Sequence, residues 1–531
     1  MSVVLLLLLT LPLAVAVGCL RVPLAAARTI TAICGIACFG LVLALVPTAA
    51  HADIQTLRLL RVDALSAVFL IATGFLYGAV ALYSVGYLSG GRDDHQSARY
   101  SRRFWIGLNL FAWAMLAAPM MSNLALLWVA IEVTTVISAL LVAIEDTDGA
   151  AEAAWKYVLL ASAGLGLALL ATIFAYYAGA QVLGQSYDLG FIQLLAVAGR
   201  LPHAAVQLAF VLAVLGFGTK MGLVPMHTWL PDAHSEAPTP VSALLSGSLL
   251  ALSFYAILRF YQVAEATLGS SFPRTVLLVF GVASLLLAAL YLFGQRDIKR
   301  LLAYSSVEHM GILAIGVSFG APAALAGVLL HVLAHAAAKG NAFMGAGVLV
   351  RKFGTKRLSG IRGGLDALPW SGPLFLLAVF ALGAMPPFGL FRSEFEIVAG
   401  GLASGSHVAA AILIIAVTVA FLGLAASTTI PLLRPARRAR PPEGAPPAAS
   451  APASGPAPEL ARTGAVTAVA EIAAPARVTG PAAVARGEPS AWMVIPVAAG
   501  ALALLLLGIH PPAELTELFG RAIRLLTGAG S

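Results

Sequence analysis

The stretch LGFGTKMGLVPMHTWLPDAHSEAPTPVSALLSG, from Leu215 to Gly247, places Lys220 near the end of an apolar run and Pro225 five residues after it. Proline has no backbone N–H and breaks or kinks a helix. An interrupted helix inside a membrane is tolerated where it lines a cavity, and such breaks mark transport sites. The device recurs at 369–400, where Pro386-Pro387 divides an apolar run ahead of Phe391-Arg392-Ser393-Glu394-Phe395-Glu396.

The rest of the chain fits this reading. Of 531 residues, 60% are hydrophobic and 11% charged, with a mean hydropathy of +0.93. Soluble domains carry about 25% charged residues. This excludes a water-soluble enzyme, a disordered scaffold and a disulfide-stapled secreted domain, and predicts an all-α polytopic membrane protein. Cys19, Cys34 and Cys38 are the only cysteines, spaced 15 and 4 apart in apolar runs. No iron–sulfur or zinc pattern can be built from them, so the expectation is no cofactor in this chain, with any redox chemistry on a partner. The net charge of +8 is spread over loops, a topology signal and not a nucleic-acid surface.

Hydropathy places fourteen spans near 3–20, 28–48, 64–88, 104–120, 123–144, 155–178, 205–230, 238–262, 273–294, 301–319, 321–350, 369–400, 407–433 and 491–509. The first lacks a basic leader and is kept as a span and not read as a signal peptide. Loops on one side hold 21 Lys and Arg and those on the other hold 6, namely Arg58, Arg61, Arg200, Arg274, Arg521 and Arg524. Basic loops stay cytoplasmic, so both termini are expected outside. Residues 434–490 are Pro/Ala/Gly-rich and read as a flexible linker. The tail after Pro511-Pro512 reads as a short surface helix. The two broken segments lie five helices apart, which gives two five-helix units of opposite orientation, 104–262 and 273–433. Segment 1–103 precedes them and 491–531 follows the linker.

An ionised side chain at the bilayer centre costs at least ~2.5–3.5 kcal/mol, so each such charge is a functional candidate. Glu132 lies mid-span in LLWVAIEVTTVISALL. Glu132 and Lys220 are either functional or a structural ion pair between neighbouring helices. His331, His335 and Lys339 follow at i, i+4 and i+8 on one helix face and form either a proton relay or a packed polar interface. A metal site there is disfavoured because no carboxylate or cysteine completes the set on that helix. Arg392 and Glu396, at i and i+4, pair with each other. Glu394 then faces elsewhere and is the preferred titrating group, or else all three charges lie at a wet helix end. Glu308 and His309 lie ~12 Å into their helix, at a water inlet or a satisfied interface. His227 and His234 are accessory candidates. Thr239-Pro240 reads as an N-cap followed by proline. Lys156 and Arg259, at span ends, are site residues or merely snorkel.

The run KMGLVPMHTWLPDAHSEAPTPVSALLSG (220–247), with Glu132 before it and RDIKRLLAYSSVEHMG (296–311) after it, resembles the antiporter-like membrane subunits of respiratory complex I, membrane-bound hydrogenases and multisubunit cation/proton antiporters. The resemblance covers about 60–430. LLAYSSVEHMGI (301–312), PPFGLFRSEFEIV (386–398) and LLLLGIHPP (504–512) are most similar to component F of hydrogenase-4. It implies the fourteen-helix, inverted-repeat fold. It also implies a proton path in which the distance of Glu132 from Lys220 tunes that lysine's proton affinity, His335 and Lys339 form the central relay, and Glu394 is the exit-side group. A change of ~1–3 in pKa is worth ~1.4–4 kcal/mol, enough to load and unload a proton. Many relatives carry a lysine in LLSGxxLK, where this chain has Ala251, so either water, Ser246, Ser248 or Ser253 bridges Lys220 to His335 or the subunit does not pump. The implied setting is a bacterial inner membrane. The implied partners are other membrane subunits with a peripheral nickel–iron hydrogenase-like or NADH dehydrogenase-like arm. A cation/proton antiporter subunit without a redox partner and a non-conducting scaffold are the alternatives.

Overall fold

The computed structural model describes residues 1–89, 95–434 and 485–528. Its helices are α1 (Ser2–Gly18), α2 (Leu24–His51), α3 (Ala64–Tyr87), α4 (His95–Ala117), α5 (Leu124–Val142), α6 (Asp148–Leu183), α7 (Phe191–Ala196), α8 (His203–Met221), α9 (Trp229–Glu236) and α10 (Thr239–Leu244). They continue as α11 (Leu250–Leu268), α12 (Ser271–Tyr291), α13 (Ile298–Phe319), α14 (Pro322–Phe353), α15 (Gly364–Ala367), α16 (Ser371–Leu382), α17 (Gly389–Ala403), α18 (His407–Leu433), α19 (Ala491–Ile509) and α20 (Ala513–Thr527). A π turn, Leu245–Leu249, joins α10 to α11 without a break. One small antiparallel hairpin, Ile54–Thr56 with Leu60–Val62, closes the turn between α2 and α3.

Among the described residues, eleven helices are long and apolar enough to cross a membrane, and α1 and α16 are shorter apolar helices. The chain is an integral membrane protein. The helices sort by burial: α3, α10–α11, α13 and α14 are almost wholly enclosed, whereas α2, α6, α12, α18 and α19 present much of their apolar surface outward. In lipid, apolar residues face out without cost, and polar residues migrate to the enclosed helices.

Close helix contacts fix the site. Gly164 on α6 faces Thr219 on α8, so a Cβ there would collide with it. Gly327 on α14 faces α17, where a Cβ would sit 2.6 Å from the Ser393 carbonyl. Small residues let backbones approach in this way.

The first helix break has a different local cause from the one read in the sequence. The α8 helix ends at Gly222, in the left-handed region at φ +86°, before Pro225 is reached. Leu223 N–H bonds the Gly218 carbonyl at 2.8 Å and Gly222 N–H that of Thr219 at 3.3 Å, the paired bonds of a glycine-capped helix end. Pro225 lies in the connecting segment. Thr239 is likewise the first residue of α10 and makes no side-chain cap.

Arg259 does not snorkel. It is buried and paired with buried Asp63 at 2.7 Å, while its Nε bonds the Tyr255 hydroxyl at 3.0 Å. Among the six arginines on the less basic side, Arg274 pairs with Glu265 at 2.6 Å and Arg521 with Asp53 at 2.7 Å. The tail helix α20 is amphipathic and docks Leu518, Ala522 and Leu526 inward. Most of the linker read at 434–490 lies outside the described residues. Its last residues do hold the fold: Glu488 accepts from Trp370 N–H at 2.9 Å and Ser371 N–H at 3.0 Å at the start of α16.

Candidate functional site

Lys220 sits in the last turn of α8, fully buried. Its ammonium donates to Thr135 Oγ1 on α5 at 2.7 Å and to the Tyr157 hydroxyl on α6 at 2.5 Å. The Tyr157 hydroxyl also shares a hydrogen bond with Ser138 Oγ at 2.8 Å. Trp229 closes the pocket, its ring 4.5 Å from that of Tyr157 and its Nε1–H on the Thr219 carbonyl at 2.8 Å.

Glu132 lies one turn before Thr135 on α5 but makes no ion pair with Lys220, so the structural-pair reading fails. Its Oε1 accepts weakly from Ser162 Oγ at 3.3 Å, and its buried Oε2 has no partner. Lys156 is outside this group: half-exposed, it pairs with Glu152 at 2.6 Å and Asp232 at 3.5 Å and ties α6 to α9.

The segment after the break brings two histidines inward. His227 is nearly buried with Nδ1 unpartnered. His234 on α9 is fully buried, its Nδ1 2.8 Å from the Leu230 carbonyl and its Nε2 without a partner. Lys299, which reads as a loop charge, is in fact buried and caps this segment by donating to the Ser235 carbonyl at 3.1 Å and to that of Ala237.

The second group lies across α13, α14 and α17. Lys339, fully buried on α14, donates to the Leu302 carbonyl at 3.0 Å and to Ser305 Oγ. Ser306 Oγ bonds the same Leu302 carbonyl at 3.1 Å and shares a 2.7 Å bond with Ser246 Oγ on the π turn. This joins the π turn to the Lys339 group; Ser248 instead pairs with Thr73 at 2.7 Å and Ser253 bonds back to the Leu249 carbonyl. Glu308 on α13 is buried nearby.

His335 on α14 is fully buried with both ring nitrogens unpartnered. Its ring centre lies 5.1 Å from that of His309 and 6.2 Å from that of His331. His309 Nδ1 approaches His331 Nε2 at 3.2 Å and Glu394 Oε1 at 3.9 Å, and His331 Nδ1 approaches Ser393 Oγ at 3.0 Å. Arg392 pairs with Glu396 at 3.0 Å on the outer face, which leaves Glu394 turned inward. The metal alternative set aside for α14 alone changes character here, because the missing carboxylate comes from another helix. His309, His331 and Glu394 hold potential ligand atoms all within 4.8 Å of one another.

Sequence reading missed Thr135, Tyr157, Ser138 and Lys299 as site residues. Only Tyr157, a polar aromatic inside the apolar run after Lys156, left a trace. The others became visible when neighbouring helices supplied their partners.

Residues 121–422 match the family described as NADH:quinone oxidoreductase/Mrp antiporter, TM. The chain is 36% identical over 351 residues to a hydrogenase-4 component F homolog of Methylacidiphilum infernorum, across 66% of this chain and 74% of that one. Its fold matches a chain of the membrane-bound sulfane sulfur reductase, an archaeal respiratory membrane complex, at TM-score 0.80, 18% identity and 99% and 98% coverage. It also matches a chain of the Mrp complex from Dietzia sp. DQ12-45-1b at TM-score 0.79, 20% identity and 100% and 98% coverage. The chain therefore belongs to the antiporter-like transmembrane subunits of the NADH:quinone oxidoreductase/Mrp antiporter family.

Proposed function

We propose that this chain moves protons across the membrane as one subunit of a hydrogenase-4-like or complex-I-like assembly whose redox chemistry lies in partner chains. The observation that carries the reading is how the two central lysines are held. Lys220 and Lys339 are fully buried, and their hydrogen-bond partners are hydroxyls and a carbonyl, with no carboxylate ion-paired to either. A permanently charged buried lysine calls for a paired anion. A hydroxyl accepts from an ammonium and donates to a neutral amine, so it suits a lysine that alternates between the two.

In this reading Glu132 modulates Lys220 by moving toward or away from it. Lys339 and His335 form the central relay, Ser246 and Ser306 carry the connection past Ala251, and Glu394 is the exit-side group. His227, His234, Glu308, His309 and His331 are accessory. The same proposal takes fourteen spans in two inverted five-helix units, 104–262 and 273–433, with both termini outside a bacterial inner membrane. The glycine contacts of α6 with α8, at Gly164 and Thr219, and of α14 with α16, at Gly345 and Phe375, set the third helix of each unit against the first half of its broken fourth and support that pairing. The partners are further membrane subunits and a peripheral redox arm.

The test is proton translocation by the intact complex reconstituted in vesicles. Lys220→Ala and Glu132→Gln should each abolish the gradient while redox turnover persists. Unchanged pumping in the Lys220→Ala complex rejects the assignment.

A further inference from the structure

His309 on α13, His331 on α14 and Glu394 on α17 converge from three helices, and their arrangement goes beyond a polar helix interface. Their donor atoms lie within 4.8 Å of one another, with His309 Nδ1 3.2 Å from His331 Nε2 and 3.9 Å from Glu394 Oε1. Zinc binds His nitrogen and carboxylate oxygen at ~2.0–2.2 Å in tetrahedral geometry, which separates ligand atoms by roughly 3.3–3.5 Å. Small side-chain rotations bring the three atoms to that spacing.

The protonation pattern also fits. The single proton of Ser393 Oγ goes to the Leu390 carbonyl at 2.8 Å, so Ser393 accepts from His331 Nδ1–H at 3.0 Å. That outer hydrogen bond fixes the tautomer and leaves the His331 Nε2 lone pair facing the cluster, as metal-ligating histidines are held. His309 Nε2 has no partner and can carry that ring's proton, freeing Nδ1 to ligate. Glu394 Oε1 is buried, unpartnered and directed at the two imidazoles. His335, with both nitrogens unpartnered, stands beside the cluster, its ring centre 5.1 Å from that of His309.

Glu394 also lines a groove of about 410 Å³ on the outer surface, walled by Phe391, Phe395, Val398, Val417 and Phe421.

We propose that His309, His331 and Glu394 form a binding site for a zinc-like transition-metal ion. An ion bound there takes the lone pairs that would otherwise carry a proton, so it blocks the exit side of the chain. The binding claim stands on the geometry alone; the block rests on the proposed function.

The experiment titrates Zn²⁺ alone into the purified complex in lipid nanodiscs, followed by X-ray absorption at the zinc edge, and into the complex reconstituted in vesicles, followed by proton flux. Expected is one ion per copy of this chain with a nitrogen/oxygen ligand set, its affinity lowered at least tenfold by either His309→Ala or Glu394→Gln. His203→Ala, at the start of α8 and away from the cluster, should leave it unchanged. Circular dichroism and gel filtration establish that the variants fold, and Ser393→Ala, which keeps all three ligands, should weaken binding less. Zinc binding that is the same in wild type, His309→Ala and Glu394→Gln overturns the site. Binding that follows the variants without inhibiting flux keeps the site and removes only the block.

Discussion

The ammonium of Lys220 is held by the hydroxyl of Tyr157, 2.5 Å away across the α6–α8 interface, and not by Glu132. Thr135 supplies the second bond from α5, one turn along from the carboxylate. The amine is therefore bonded to hydroxyls on α5 and α6, and the carboxylate is not among its partners. A modest shift of α5 against α8 changes their separation without breaking a salt bridge.

Tyr157→Phe removes an acceptor from a charged donor, an interaction worth ~1.5–3 kcal/mol. Proton flux through the reconstituted complex should fall by about tenfold or more, because each 1.4 kcal/mol is a factor of ten. Thr135→Val should act in the same direction. Flux equal to wild type in both variants would show that these hydroxyls do not serve Lys220.

Asp63 and Arg259 are both buried and ion-paired, with Ser66 and Gln262 completing the guanidinium's bonds at 3.0 Å each. Removing one partner of such a pair costs ~3–5 kcal/mol, whereas replacing both by apolar groups is often near neutral. Asp63→Asn should lower the melting temperature of the purified protein by several degrees, and adding Arg259→Met should restore part of the loss. A single variant that melts with wild type would show the pair to be energetically idle.

The Ser246–Ser306 bond joins the π turn to α13 beside Lys339. Ser246→Ala and Ser306→Ala should each slow proton transfer, and the double variant should be no slower than the worse single one, since both remove the same link. Strictly additive losses would mean that the two hydroxyls act separately.

Lys299 holds the end of α9 by donating to the Ser235 and Ala237 carbonyls. Lys299→Met leaves those buried carbonyls short of a donor, at ~1–3 kcal/mol each. Amide hydrogen exchange across 230–240 should accelerate while that of α3 stays slow. An unchanged exchange pattern would remove Lys299 from the support of the broken segment.

The run of apolar residues, the two interruptions and the charges set among them made the membrane fold legible without coordinates, because the cost of a charge in lipid is large and local. Lys220, His335, Lys339 and Glu394 stand out for that reason. What each of them touches was decided by packing. The sequence leaves Glu132 and Lys220 open as functional groups or an ion pair, and Thr135 on α5 and Tyr157 on α6 take the lysine's bonds. Lys299 reads as a topology charge until α9 folds over it. His309, His331 and Glu394 lie 22 and 63 residues apart along the chain and meet where α13, α14 and α17 pack closely at Gly316 and Gly327. A sequence carries hydropathy and helix period, both set within a few residues; hydrogen-bond partners between helices depend on rotation and separation, which only the assembled bundle fixes.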